Sequence, residues 1–339
     1  MNSDRQVLPA AHGSRPEASD TPAATVLYDL SHLGLIAVRG ADATSFLQGQ
    51  LTNDIRQLSP TRSQLGSHCS PKGRMLALFR IWPLGDAIVL QLPRERLPEA
   101  LKRLRMYVLR AKATLEDASD AWMRLGIAGD RAAEALAALG LTLPESDGGL
   151  AETDGVTVLR LPAPMPRFEL IGPGERLSTL WQALRPGSAL GDADGWALLD
   201  IRAGIPSVHA ETVDAFVPQM CNLAQIDGVS FNKGCYTGQE VVARMQYLGR
   251  LKRRMYLAEV ETATPPRPGD RLDAPTSASE QGAGRIVDAR RVAGQRYALL
   301  AVAEIEAAQS GQIRLGENGP TLDLQPPPYG FPSEGGPGG

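Results

Sequence analysis

One local pattern occurs twice in this chain and narrows what it can fold into. Residues 35–38 (Leu-Ile-Ala-Val) read as a short buried strand, and Gly40-Ala-Asp42 turns the chain into a helix. Leu47, Leu51 and Ile55 then recur every four residues as that helix's apolar stripe. Residues 125–128 (Leu-Gly-Ile-Ala) repeat the strand, Gly129-Asp130 the turn, and residues 132–139 the helix, which Gly140 closes. Asp42 and Asp130 occupy the N-cap positions of these readings, 88 positions apart. Either an α+β unit has been duplicated, or two ordinary strand–turn–helix starts have arisen independently; the sequence leaves both open.

The remaining periodicities divide the 339 residues into five stretches. Residues 1–23 are polar and rich in Pro, Ala and Ser, and are expected to form a disordered arm. Residues 24–119 form a first α+β domain, with strands at 75–82 and 87–92 and an amphipathic helix marked by Leu97, Leu101, Leu104 and Val108. Residues 120–248 form a second α+β domain, with later helices near 176–184 and 196–203, the last ended by Gly204. Its final segment, 233–240, is expected to pack back on the first domain. Residues 249–324 change character: strand candidates at 255–260, 284–289, 297–305, 312–315 and 321–324, separated by Pro- and Gly-rich turns, suggest a small β-barrel. Residues 325–339 read as a Pro- and Gly-rich disordered tail.

Composition excludes several function classes. The net charge of −3 rules out a general polycation, so any RNA contact needs a local basic patch. Cys69, Cys221 and Cys235 are too few and too scattered for a disulfide framework, and no C-x-x-C or spaced histidine pair is present, so no metal site is expected. Free thiols, no signal-peptide core and no apolar run of membrane-spanning length together suggest a cytoplasmic protein, expected to be monomeric.

The chemistry concentrates at residues 233–254. Thr237 and Glu240 fit a T-x-x-E capping box ahead of Val241, Val242, Met245 and Leu248 at helical spacing, with Gly249 as the stop. Cys235 sits two residues before that cap, between Gly234 and Tyr236 and near Lys233. A helix N-terminus and an ammonium both favour a thiolate, so Cys235 is a candidate reactive thiol and Lys233 its candidate helper; a small buried hydrophobe is the alternative. Gly234 and Gly238 allow close approach of a ligand, or are simple turn residues. Arg244, Arg250, Lys252, Arg253 and Arg254 bring the local charge to +5, either a solvated surface or a basic rim for an anionic ligand tail or RNA phosphates. His68 beside Cys69 is a weaker Cys–His candidate, and Trp196, in a helix with Leu198, Leu199 and Ile201, has core packing as its default.

Residues 233–240, KGCYTGQE, resemble the signature of the YgfZ family, folate-binding relatives of the aminomethyltransferase (T protein) of the glycine cleavage system. Residues 35–54, 68–75 (HCSPKGRM), 201–206 and 216–219 resemble the family's other blocks, so the likeness runs from about Asp29 to Leu257. It implies an α+β fold of three domains in a ring, two α+β domains plus a small C-terminal β-barrel. It also implies binding of tetrahydrofolate or a derivative, with Trp196, Leu33, Gly234, Tyr236, Gly238, Gln239 and Arg202 as the matching folate-lining positions. The implied role is assembly or repair of iron–sulfur enzymes, including one that methylthiolates tRNA, with the signature cysteine, here Cys235, as the required residue.

Two departures from the pattern stand out. The transferase's acidic pair is matched here by Leu76 and Ala77, neither of which can accept a proton, which argues against aminomethyl transfer. Leu33 stands where some relatives carry a Trp and cannot stack on a pterin as an indole does. A folate-dependent one-carbon transferase and an RNA-binding regulator are the alternative functions.

Overall fold

In the computed structural model, residues 25–247, 251–277, 279–280 and 282–331 are described. The arm 1–23, the helix stop at Leu248-Gly249, the rim residue Arg250 and the tail beyond Phe331 lie outside them. The elements run β1 (Val26–Asp29), β2 (Leu33–Arg39), α1 (Ala43–Gln48), β3 (Gln64–Cys69), β4 (Met75–Leu84), β5 (Ala87–Pro93), α2 (Leu97–Arg105) and β6 (Thr114–Asp117). They continue through β7 (Met123–Ala128), α3 (Ala132–Ala138), β8 (Leu150–Thr153), β9 (Val156–Arg160), β10 (Arg167–Gly172), α4 (Gly174–Leu184), β11 (Ala189–Gly191) and α5 (Ala193–Arg202). After a long loop region come α6 (Gln239–Tyr247), β12 (Arg253–Glu261), β13 (Arg271–Asp273), β14 (Gly284–Ala293), β15 (Arg296–Glu304), α7 (Ile305–Gln309) and β16 (Arg314–Leu315).

Sheet topology favours the duplication. One sheet has the order β3-β4-β5-β2-β6 and another β8-β9-β10-β7-β1-β11. Each is built from strand, helix, three strands, helix and strand, in the same spatial order. The second differs by one insertion: β1 pairs antiparallel with β7 and parallel with β11, where β2 pairs directly with β6. Both helix starts follow a glycine at positive φ, Gly40 and Gly129. The expected caps are otherwise engaged. The Asp42 carboxylate accepts from the Lys112 amide at 2.7 Å, and the N-cap of α3 is Arg131, one residue after the expected Asp130, and is paired to Glu134. Helix α2 ends at Arg105, before the expected Val108, leaving Met106, Tyr107 and Leu109 exposed.

The chain divides into two compact units. The first holds residues 25–47, Ile55–Gln64 and Phe79–Leu199; the second holds Gln48–Asp54, Leu65–Leu78 and 200–331. The first has two apolar layers. One gathers Leu125, Ile127, Phe168, Leu170, Leu177 and Trp181; the other gathers Tyr28, Leu35, Ala37, Trp82, Val89 and Trp196. They fall on opposite faces of β7 and β10 because strand side chains alternate.

The second unit contains the C-terminal sheet, β12-β15-β14-β13-β16. Its centre, β15, is buried from Tyr297 to Ala303, and β12 pairs with it in unbroken register over nine residues. The sheet is an open half-barrel rather than the expected closed barrel. Strands β13 and β16 have only three and two residues, too few to carry a ladder round to β12, whose free edge is met by a single bridge from Gln325 to Leu257. The expected strand at 321–324 is reduced to a bridge between Thr321 and Arg314. Residues 325–331, read above as tail, pack: Tyr329 donates to the Gly204 carbonyl at 3.0 Å, and Phe331 meets the Tyr256 ring edge-on at 5.2 Å.

Candidate functional site

Three separated segments meet within the second unit. Thr52 joins them: its amide donates to the Ser67 carbonyl, its hydroxyl accepts from the Ser67 amide and donates to the Gly228 carbonyl at 2.7 Å, and its carbonyl accepts from Ser230. The Asn53 amide spans the Leu65 and Asp227 carbonyls at 2.8 and 2.7 Å. On the other side, Ser70 donates to the Asp214 carboxylate at 2.7 Å, and Met75 exchanges backbone bonds with Asp214 and Phe216. Thr52 is fully buried, so losing any of these bonds would leave a polar group unsatisfied.

The segment 233–240 is set into this frame. Lys233, 6% exposed, sends its ammonium to the carbonyls of Gln48 and Leu51 at 2.6 Å each and of Asn53 at 2.9 Å. Three carbonyls match three N–H donors. The same nitrogen lies 5.0 Å from the centre of the Tyr236 ring, and burial, with Cys69 nearby as a smaller cause, holds the Tyr236 phenol well above its ordinary range. Lys233 is thus a buried clamp that ties this segment to residues 48–53.

Gly238 and Gly73 pack backbone against backbone. Gly238 has φ +83°, and a Cβ there would lie 2.4 Å from the Ser70 carbonyl oxygen; one on Gly73 would lie 2.8 Å from Val241 Cβ. Only glycine fits both the conformation and the space. Gly234 differs: a Cβ there would meet nothing within 4 Å. Helix α6 starts at Gln239, after Gly238, so Thr237 is not its N-cap and the capping box does not form; at φ +83° Gly238 cannot be a helical first residue. Instead the Gln239 amide bonds the Tyr236 carbonyl at 3.1 Å, and Gln219 donates to the Val242 carbonyl at 2.6 Å.

Cys235 is exposed between these fixed points, whereas Cys69 and Cys221 are buried. Burial pushes the Cys69 thiol up to about 12, only partly opposed by its hydrogen bond with Ser67, and burial also raises Cys221 strongly. Those two behave as core residues, as does His68 at 1% exposure. Leu76 and Ala77, at the start of β4, are buried.

Two arginines of the expected basic rim have internal partners. Arg253 donates to Ser279, the Gly282 carbonyl and Glu304, and the Arg254 guanidinium lies 4.3 Å over the Phe331 ring. Arg244 and Lys252 are exposed; Arg202, at the end of α5, and Gln239 are half-buried.

Trp196 and Leu33 belong to the first unit. Trp196 is 2% exposed, with the Arg167 guanidinium 4.9 Å over its ring, Tyr28 at 5.1 Å, and Gly126 so close that a Cβ there would lie 2.5 Å from the indole. Leu33 is half-buried at the start of β2. The same layer holds polar groups that the sequence reading missed: Gln91, Arg124, Arg167 and Glu169, all buried. Gln91 donates to Glu169 at 2.5 Å, and Arg167 to the Pro162 carbonyl at 2.9 Å. Arg124 Nε and Nη1 are enclosed without a hydrogen-bond partner. Charged residues inside apolar strands (Met-Arg-Leu-Gly at 123–126, Arg-Phe-Glu-Leu at 167–170) were the available signal.

Comparison with known proteins agrees with this architecture. The model of the GCVT N-terminal domain family matches residues 8–224. Aminomethyltransferase T of the glycine cleavage system from Bartonella henselae has the same fold, with a TM-score of 0.70 over 91% of this chain and 86% of that one, at 19% identity. The chain therefore has the fold of the glycine-cleavage aminomethyltransferases.

Within that class the sequence is more specific. The tRNA-modifying protein YgfZ of Yersinia pestis (strain Pestoides F) is 31% identical over 93% of this chain and 96% of its own length. That of Sodalis glossinidius is 32% identical over 89% and 92%. This chain belongs to the YgfZ family.

Proposed function

We propose that this protein binds tetrahydrofolate or a derivative and serves as an accessory factor in the assembly or repair of iron–sulfur enzymes, acting through Cys235. A client of the tRNA-methylthiolating kind would connect it to tRNA modification, the activity named for its relatives. The observation that carries this reading is the contrast among the three cysteines. Cys235 alone is exposed, on a segment whose neighbours on both sides are immobilised by Lys233 and by the Gly73–Gly238 contact. A thiol held in this way is presented to a partner at little entropic cost. Leu76 and Ala77, apolar and buried, offer no proton acceptor to a one-carbon transfer, which weighs against the transferase alternative. With Arg253 and Arg254 engaged internally, the RNA alternative loses much of its basic segment.

Folate combines a flat ring with a polar edge and a negatively charged tail. The first-unit layer, with Trp196, the Gln91–Glu169 pair and the partner-poor Arg124, has the donor and acceptor types to suit such a molecule. Titration with tetrahydrofolate, followed by calorimetry, should show saturable binding; absence of heat at high ligand would remove the folate assignment. Replacing Cys235 with Ser should abolish support of tRNA methylthiolation in a strain lacking the endogenous factor, with the melting temperature unchanged. Full complementation by that variant would take the thiol out of the mechanism.

A further inference from the structure

We propose that Arg124 is the anchor for a carboxylate of the bound ligand, within the first unit. Arg124 is 3% exposed, and two of its three guanidinium nitrogens are enclosed without a hydrogen-bond partner. A guanidinium remains charged in proteins, so it cannot escape burial by losing its proton. Native structures rarely leave such a group unsatisfied, and each case calls for an explanation.

The surrounding charge explains it. Arg124, Arg167 and Glu169 are the ionic side chains buried in this layer, two positive and one negative. Glu169 is the obvious counter-ion for Arg124, yet one of its oxygens is taken by Gln91, and no hydrogen bond joins it to Arg124. Arg167 is occupied by the Pro162 carbonyl and the Trp196 ring. Asp117 accepts from Ser119 and Asp29 from the Ser31 amide, and the enclosed Arg124 nitrogens reach neither. Two of these three ionic side chains are cations, and two of the Arg124 nitrogens meet no acceptor. A carboxylate bound there would gain two charge-assisted hydrogen bonds in a water-poor setting. Val26, Leu33, Trp122 and Met165 are the partly buried members of the same layer. Burial pulls the Arg124 guanidinium below its ordinary range, Glu169 opposes this, and Arg94 adds to it, consistent with an under-compensated cation.

The proposal rests on the folate reading for the source of the carboxylate, and its test separates the two. The full-length wild type, Arg124→Leu, Arg124→Lys and Glu169→Gln are titrated with tetrahydrofolate, with p-aminobenzoylglutamate, with a pterin lacking any carboxylate, and with acetate or phosphate; melting temperatures are recorded for each. Arg124→Leu should weaken tetrahydrofolate and p-aminobenzoylglutamate by roughly 10–100-fold and leave the pterin unaffected. Its ligand-free melting temperature should hold or rise, because an unpaired buried charge is replaced by an apolar group. Arg124→Lys should retain part of the affinity, and Glu169→Gln should tighten carboxylate binding by removing a competing charge. Should Arg124→Leu not fold, the lysine and glutamine variants decide. Unchanged affinity in the Arg124 variants, at any melting temperature, overturns the proposal. If the wild type binds no folate fragment, the folate reading fails on its own. Arg124 is then judged by whether acetate or phosphate raises the wild-type melting temperature and not that of Arg124→Leu; no such rise overturns the anion site as well.

Discussion

Lys233 and Arg124 are both buried cations, and they differ in one respect that separates scaffold from binding group. Every N–H of the Lys233 ammonium has a carbonyl in front of it, whereas two nitrogens of the Arg124 guanidinium have none. The first arrangement closes a loop and holds it. The second leaves a charge that a ligand can satisfy. Both are buried and positively charged, and their partners differ.

The largest effect expected from this comparison is at Lys233. Lys233→Met should destabilise the protein by about 3 kcal/mol or more, since three buried carbonyls lose their donor together. Urea unfolding of the full chain measures this, and a variant as stable as wild type would break the contrast with Arg124. Next comes the glycine pair. Gly238→Ala should cost roughly 2–4 kcal/mol, from a positive φ combined with the close Ser70 carbonyl. Gly234→Ala should stay within about 0.5 kcal/mol. Equal losses at both positions would mean that the two blocks do not pack as described.

The thiols supply the pH dependence. The folded-state value of Cys69 lies above its ordinary one, so the stability it confers is complete below pH 9 and is lost as pH rises toward about 12. Alkaline unfolding should therefore steepen in that window, and Cys69→Ala should flatten it. Below it, a thiol reagent should label Cys235 in the native protein and reach Cys69 and Cys221 only after unfolding. Labelling of one thiol per chain at pH 8 is the smallest of these effects and the simplest to measure.

Much of the fold was legible from periodicity. Strands at 35–38, 125–128 and 297–304, and helices at 132–138 and 196–202, fall where alternation or three-to-four spacing puts them. The edge strands β1, β6, β8 and β11 were not, because three or four residues are too few for a period to show. The caps misled for a related reason. Asp42 and Thr237 have the right chemistry next to a helix, but a backbone amide from Lys112 claims one, and the left-handed Gly238 separates the other from its helix. Within the basic segment, alternation along β12 gives the adjacent Arg253 and Arg254 different partners, which their sequence neighbourhood does not show.

The residues 233–240 by themselves determined the family and singled out Cys235, because a rare combination of residue types at fixed spacing is a property of the chain alone. Tertiary structure decided what each residue there does. Lys233 became a clamp because carbonyls of Gln48, Leu51 and Asn53 converge on it across about 180 positions of chain. Gly238 became obligatory because Gly73 lies against it, and Arg124 became a binding candidate because two of its enclosed nitrogens meet no acceptor. Whether a buried group is satisfied depends on atoms brought near it from distant parts of the chain, and no local pattern records them.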